Sequence, residues 1–532
     1  MPLPDDRTAA DLYEQGRALR AAGDLGGAIA AYNAALERQP EFPEAANNLG
    51  NCLRSAWRLD EAEGAFRRAL AARPEFPEAW SNLGATLKNL GRADEGLACL
   101  ARAVALRPQD PALHSNLIFC RNYASSDDPA AMQAEERRWW ERHGAPQAAR
   151  IRPHANERTA DRRIRVGYVS AGFREQAQSF FSLPLLEHHD HGRFEIVCYS
   201  DAAREDDVTE RIRRTADRWV CIAGRGDDEV AEAIRLDQVD ILVDLTVHAA
   251  QNRLPVFARK PAPVQVTWLG YPGSTGLPTV DYRFTDRWLD PPGEEAPYVE
   301  TSVRLDAPFW CYDPSAGELP STGESSEARR PEEITFGCLN NFSKTNDRLF
   351  ALWRRILQGA AGSRLCLLAP PGSARRRALD ALGVGEDRVE FVGFQPRARY
   401  LETYRRIDLC LDTFPCNGHT TSLDSWWMGV PVLSRRGRKV VGRAGHAFAH
   451  FLGLPEFSVD SDEAYVAAAL AWAKEKARLA AARAGLRERM SCSPLMDGAR
   501  FARAVEEAYR SMWRTCVGPK TAPAFSGFRA LR

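Results

Sequence analysis

The chain has 532 residues, and its 71 Lys and Arg balance 71 Asp and Glu, giving a formal net charge of zero at pH 7. That balance implies neither a nucleic-acid partner nor an anionic membrane surface, no apolar run is long enough to span a bilayer, and the length predicts about three domains. Twelve cysteines are scattered without a C-x-x-C pair or a neighbouring His cluster, so free thiols are expected in place of a zinc site or a disulfide framework.

The polar start MPLPDDRTAADLYEQ lacks a charged-then-apolar leader, and a cytoplasmic protein is expected. Then the chain repeats itself. Gly16, Gly50 and Gly84 stand 34 residues apart, as do Ala35, Ala69 and Ala103, and Pro40, Pro74 and Pro108. This period, with small residues at a helix crossing and Pro closing the second helix, predicts tetratricopeptide repeats over residues 9–125: three full units and a capping one. Asn48, Asn82 and Asn116 share one position on the first helices, where the first repeat has Glu14. A stacked row of amides can hold a peptide backbone of any sequence, although Asn is also common in the N-L-G turn of such repeats. Residues 126–160, including RRWWERHG, predict a helical connector.

From residue 161 the periodicity changes. IRVGYVS (164–170), FEIVCYS (194–200), VDILVDLT (239–246) and PVQVTWLG (263–270) are short apolar runs separated by helix-length polar segments. A second series runs through ITFGCLN, SRLCLLAP, RVEFVGF, IDLCLDTF and GVPVLS. Strands alternating with helices predict two Rossmann-like α/β lobes, at 161–312 and 333–516, with parallel sheets covered on both faces. The Pro-, Gly- and Ser-rich stretch 313–332 reads as a linker and 517–532 as a loose tail. The predicted fold class is therefore α + α/β, with a ligand crevice between the carboxyl ends of the strands.

The string DTFPCNGHTTSLDSWWMGVPV begins at Asp412, where a strand meets a polar loop and a new helix. His419, Thr420 and Thr421 lie where the first N–H groups of that helix have no partner, a place that favours a diphosphate without a metal. A plain capped helix is the competing reading. Asp424, one turn on, can accept ribose hydroxyls or complement the helix dipole. Lys344 follows a strand and an Asn-rich turn in FGCLNNFSKTND, where Asn341 either shapes the turn or bonds a nucleotide. In WLGYPGSTGLPTVDYRFTD, Gly270, Gly273 and Ser274 suit a loop whose backbone approaches a ligand. His248, in LTVHAAQN, is the best imidazole for proton handling, with a structural role as the alternative.

Taken together, NGHTT with Asp424, the WLGYPGSTG stretch and the repeats resemble the bacterial-type O-GlcNAc transferase and SPINDLY-like family. The resemblance implies a GT-B arrangement and a metal-independent inverting transferase with no cofactor, moving a sugar from a nucleotide sugar onto Ser or Thr of intracellular proteins. It implies UDP-GlcNAc as the leading donor, GDP-fucose or another nucleotide sugar for a flagellin acceptor as alternatives, and a repeat scaffold with impaired catalysis as a rival of another class. It also implies that Lys344 contacts the donor phosphates, that Tyr400 and Arg397 stand where a base-stacking His and a lysine are expected, and that the Asn48, Asn82 and Asn116 row holds protein acceptors. Two departures stand out: Gln176 replaces a family His, and Val247 replaces a Gly. Asp460-Ser461-Asp462 has the D-x-D form of a metal site, but it directly precedes a strong helix and reads as a helix cap.

Overall fold

The computed structural model describes residues 7–293, 298–316 and 333–518. The predicted linker lies outside the described residues from 317 onward, and the predicted tail from 519. The repeats form three antiparallel helix pairs, Ala9–Ala21 with Leu25–Arg38, Pro43–Ser55 with Leu59–Ala72, and Pro77–Asn89 with Ala93–Leu106; Pro111–Arg121 and Pro129–Trp139 follow. The 34-residue glycines have a packing reason. A Cβ on Gly16 would strike the Tyr32 ring at 2.6 Å, one on Gly50 the Phe66 ring at 2.6 Å, and one on Gly84 the Gly96 carbonyl and the Leu100 side chain at 2.8 Å. The facing residues Tyr32, Phe66 and Leu100 are themselves 34 apart.

The first sheet contains β1 (Ile164–Ser170), β2 (Phe194–Ser200), β3 (Arg218–Cys221), β4 (Ile241–Asp244), β5 (Val264–Thr267), β6 (Tyr282–Thr285) and β7 (Thr301–Arg304), in the order β3-β2-β1-β4-β5-β6-β7. The second contains β8 (Thr335–Cys338), β9 (Arg364–Leu368), β10 (Val389–Val392), β11 (Leu409–Leu411), β12 (Val432–Arg435) and β13 (Ser458–Val459), in the order β10-β9-β8-β11-β12-β13. Every pairing is parallel. Each sheet therefore reverses its winding once, between β1 and β4 and between β8 and β11, which is where doubly wound sheets bind ligands.

The apolar runs predicted from sequence all form strands. Of the four strands not predicted, β3 and β7 lie at the sheet edges with exposed or half-buried residues, so they carry no apolar run. The closing helix Gly498–Val517 leaves the second lobe and packs on the first. Its Tyr509 shares a hydrogen bond with Tyr168 of β1 at 3.1 Å, and its Glu506 meets His189 at 2.9 Å. Grouped with the second lobe by sequence, this helix belongs by packing to the first.

The solenoid and the start of the connector are fastened to both lobes. Asp60 accepts from the backbone N–H of Ser373 at 2.7 Å, and Asp127 accepts from those of Arg438 and Lys439 at 2.7 and 2.8 Å. Ser115 reaches His248 of the first lobe at 3.1 Å. Ser461 caps the helix Asp462–Lys474, and Asp462 pairs with Arg348 and Arg435, so the D-x-D segment is a helix start.

Candidate active site

The loops leaving β1 and β4 face those leaving β8 and β11 across a crevice of about 380 Å³. From the second lobe, Asn341, Lys344, His419, Thr420 and Thr421 line it; from the first come Gln176, Gln178, Thr246, Gln251, Leu269 and Gly270. Trp310, on the connection between lobes, closes one side, with its ring 4.9 Å from that of His419. Among the described residues, Lys344 and His419 are the ionisable side chains of this wall and no carboxylate lines it.

The second-lobe loop is built around Asp412, fully buried at the end of β11. Its carboxylate accepts from Asn340 Nδ2 at 3.0 Å, the Gly418 N–H at 2.7 Å and Ser434 Oγ at 2.6 Å. Gly418 has no room for a side chain: a Cβ would meet Ser422 Oγ at 2.3 Å and Asn340 Oδ1 at 2.6 Å. The Thr421 hydroxyl donates to Asn340 Oδ1, and the Lys344 ammonium donates to the Asn417 carbonyl. Tyr404 donates to the Thr421 carbonyl at 2.9 Å, fixing the first turn of the helix Thr420–Trp427. No side chain caps that helix, so its positive end opens into the crevice beside Lys344. His419 Nε2 donates to the Val441 carbonyl at 3.2 Å; burial, and then the Lys344 charge, hold the ring well below its ordinary pKa and neutral. Asn340 shapes the turn, while Asn341 caps the short turn Phe342–Lys344 and faces the crevice.

The first-lobe wall is amide-rich and tightly turned. A Cβ on Gly270 would lie 2.5 Å from the Thr246 carbonyl, so this glycine permits two loops to touch. Val247, Gln251 and Leu269 have φ of 53°, 61° and 82°, which is strained for side-chain-bearing residues. Where the family resemblance places Gly, Val247 carries that strain. Gln176 lines the crevice and donates to Gln178 Oε1 at 3.2 Å; Gln178 donates to the Leu245 carbonyl at 2.5 Å.

Several predicted residues are elsewhere or otherwise engaged. His248 is completely buried: Nε2 donates to the Thr275 carbonyl at 2.9 Å and Nδ1 accepts from Ser115 at 3.1 Å. Burial lowers its pKa to about 3, so it is a neutral packing residue at the junction with the solenoid and not the crevice's proton acceptor. Gly273 and Ser274 point away from the crevice: the Gly273 carbonyl accepts from Arg283 at 3.0 Å, and Ser274 donates to Glu300 at 2.6 Å. The carboxylate of Asp424 is taken by Arg397 at 2.8 Å and by the Tyr312 hydroxyl, and it is buried, so it is not free for ribose. Arg397 also lies 4.0 Å over the Phe180 ring, bridging the lobes. Tyr400 bonds Tyr404 at 2.6 Å and supports the loop from behind. In the solenoid, Asn48 donates to Tyr13 at 3.1 Å, Asn82 to Asn47 at 2.9 Å and Asn116 to Ser81 at 3.3 Å. Each amide thus bridges to the preceding repeat, which aligns the row and uses one of its donors.

Sequence reasoning passed over Trp310, Gln178 and Asp412. Of the three, only Asp412 had a signal, as an acid closing an apolar strand, a feature it shares with Asp244 at the end of β4.

The glycosyl transferase family 41 model matches residues 148–315 and 323–505, more than half of the chain. The chain belongs to this family. Tetratricopeptide models match residues 13–74 and 53–117. The tomato (Solanum lycopersicum) protein named probable UDP-N-acetylglucosamine–peptide N-acetylglucosaminyltransferase SPINDLY is 38% identical over 372 residues, covering 68% of this chain and 40% of that protein. The Arabidopsis thaliana protein of the same probable activity named SEC is 30% identical over 370 residues, covering 67% and 38%. The chain thus spans about 40% of the length of the plant relatives. A mutant O-GlcNAc transferase of Thermobaculum terrenum, known in three dimensions, superposes with a TM-score of 0.88 at 34% identity, covering 97% of this chain and 99% of that one.

Proposed function

We propose that this family 41 member is an inverting protein glycosyltransferase that moves GlcNAc from UDP-GlcNAc onto Ser or Thr hydroxyls of intracellular polypeptides, without a metal. One observation carries the reading: Lys344 and the uncapped helix start at Thr420 and Thr421 share a crevice whose walls, among the described residues, hold no carboxylate. A leaving diphosphate there meets a cation and oriented N–H groups, the stabilisation that a departing nucleotide needs. Those groups take the charge-neutralising role that a divalent ion has in other transferases. The printed activity of the plant relatives and the length-matched bacterial O-GlcNAc transferase support UDP-GlcNAc as the donor.

With His248 sealed away and Gln176 unable to accept a proton, the acceptor hydroxyl gives its proton to the donor phosphate as the glycosidic bond forms and the phosphate–sugar bond breaks. The row of Asn48, Asn82 and Asn116 holds the acceptor backbone with the donor capacity left over from bridging the repeats. Calorimetric titration with UDP-GlcNAc, GDP-fucose and CMP-linked sugars, followed by turnover with and without EDTA, tests the reading. Selective UDP-GlcNAc binding and EDTA-resistant turnover are expected. Selective binding of GDP-fucose would replace the donor, binding without turnover on any protein would indicate a scaffold, and loss of turnover in EDTA would overturn metal independence.

A further inference from the structure

A second row runs at the repeat interval. Arg20, Arg54 and Lys88 stand 34 residues apart near the ends of three successive first helices, six residues beyond Glu14, Asn48 and Asn82, and Asn122 is the next in series. Among the described residues none of the three cations has a carboxylate partner. The acids of the same helices are already engaged: Asp11 with the capping Thr8 at 2.8 Å, Glu14 with Arg17 at 3.0 Å, Glu44 with Arg73, and Glu78 with Arg107 at 2.6 Å. Arg54 donates to Asn51 at 3.1 Å. The Lys88 ammonium sits 5.0 Å from the Phe119 ring and 4.9 Å from the Tyr123 ring. These two rings pack on Val247, Tyr271, Cys416 and Val441, which belong to the loops that shape the crevice. The row therefore begins at exposed Arg20 and ends against the catalytic wall.

Its members crowd one another without a counter-ion. Burial, with the charge of Arg54 added, pushes the Lys88 ammonium below its ordinary value, and burial followed by Arg20 does the same to Arg54. A neutral chain that strings three unpaired cations along one face has a surplus that a bound anion relieves. The neighbouring asparagine row suits a peptide backbone, so the anion fits a polypeptide better than a phosphate chain.

We infer that the first-helix face selects acceptor polypeptides with acidic side chains, seating their carboxylates on Arg20, Arg54 and Lys88 while a Ser or Thr enters the crevice. This rests on the transferase reading for what happens in the crevice, but the charge preference is measurable without turnover.

The test uses the full chain and three fluorescent peptides that share one Ser-containing centre and differ in flanks of Glu, Gln or Lys, with a single-stranded oligonucleotide as comparison and UDP-GlcNAc titrated in parallel. The Glu peptide should bind about tenfold tighter than its Gln twin at low salt, with the gap closing as salt rises. Arg54→Glu with Lys88→Glu should abolish or invert the preference. Should that pair fail to fold by circular dichroism, exposed Arg20→Glu should still cut it by about twofold. Equal binding of the three peptides, preference for the Lys peptide, a preference untouched by charge reversal in folded protein, or tighter binding of the oligonucleotide would each overturn the inference. Absent UDP-GlcNAc binding with the Glu preference intact would instead count against the transferase reading.

Discussion

The two α/β lobes wind their strands in the same order and meet at equivalent switch points, yet they furnish those points differently. In the second lobe, a buried carboxylate, Asp412, gathers Asn340, Gly418 and Ser434 and leaves Lys344 and an uncapped helix start facing the crevice. In the first, the imidazole that follows β4 is drawn back onto the solenoid, and amides and strained backbone at Val247, Gln251 and Leu269 form the wall. One topology thus yields a charged seat on one side and a neutral, shaped wall on the other. The lobe that manages charge is separate from the lobe that shapes the remaining space.

This contrast can be broken at several points. The largest effect is expected from Asp424→Ala, which strands the half-buried guanidinium of Arg397 and the buried Tyr312 hydroxyl; unfolding in urea should show a loss of about 3 kcal/mol. If the proposed action of its charge on the leaving group holds, Lys344→Ala should leave folding intact and lower kcat by about 100-fold in a steady-state transfer assay. Gly270→Ala, which drives a Cβ into the Thr246 carbonyl, should cost about 1–3 kcal/mol by the same unfolding measurement and weaken donor binding through the displaced wall.

His248 gives a pH signature at the junction of the first lobe with the solenoid. It is held to about 3 in the folded chain, against about 6.5 when unfolded, so the unfolded state takes up a proton that the folded state refuses. Its contribution is complete above about pH 6.5 and is lost as pH falls toward 3, by about 1.4 kcal/mol per pH unit. His143, lowered to about 4 by burial, acts in the same direction. His248→Gln should flatten part of this slope in urea titrations while leaving kcat nearly unchanged; a large fall in kcat would restore it as a participant. The smallest effect is expected from Asn82→Ala, which should weaken acceptor peptides by about 1 kcal/mol or less in anisotropy titrations without altering nucleotide binding.

The repeats and central strands were legible because each rests on local chemistry: a glycine facing Tyr32 or Phe66, or an apolar run such as Ile164–Ser170 buried on both faces. The same holds for Lys344, Thr420 and Thr421, which occupy the loops at the carboxyl ends of strands where topology requires a crevice. What failed to show is set by tertiary partners. His248 follows a strand end as a catalytic residue would, but Ser115, 133 positions away, claims its Nδ1. Asp424 sits one turn into the helix after the threonines, and Arg397 from a preceding helix neutralises it. Trp310 lies where no motif marks it, and only the meeting of the lobes makes it a wall.

The most direct measurement is a crystal structure of the chain with UDP-GlcNAc. The diphosphate should lie within hydrogen-bonding distance of the Lys344 ammonium and the first-turn N–H groups of Thr420 and Thr421, with no metal density between them. A diphosphate bound elsewhere, or reaching these residues through a coordinated cation, would contradict the account.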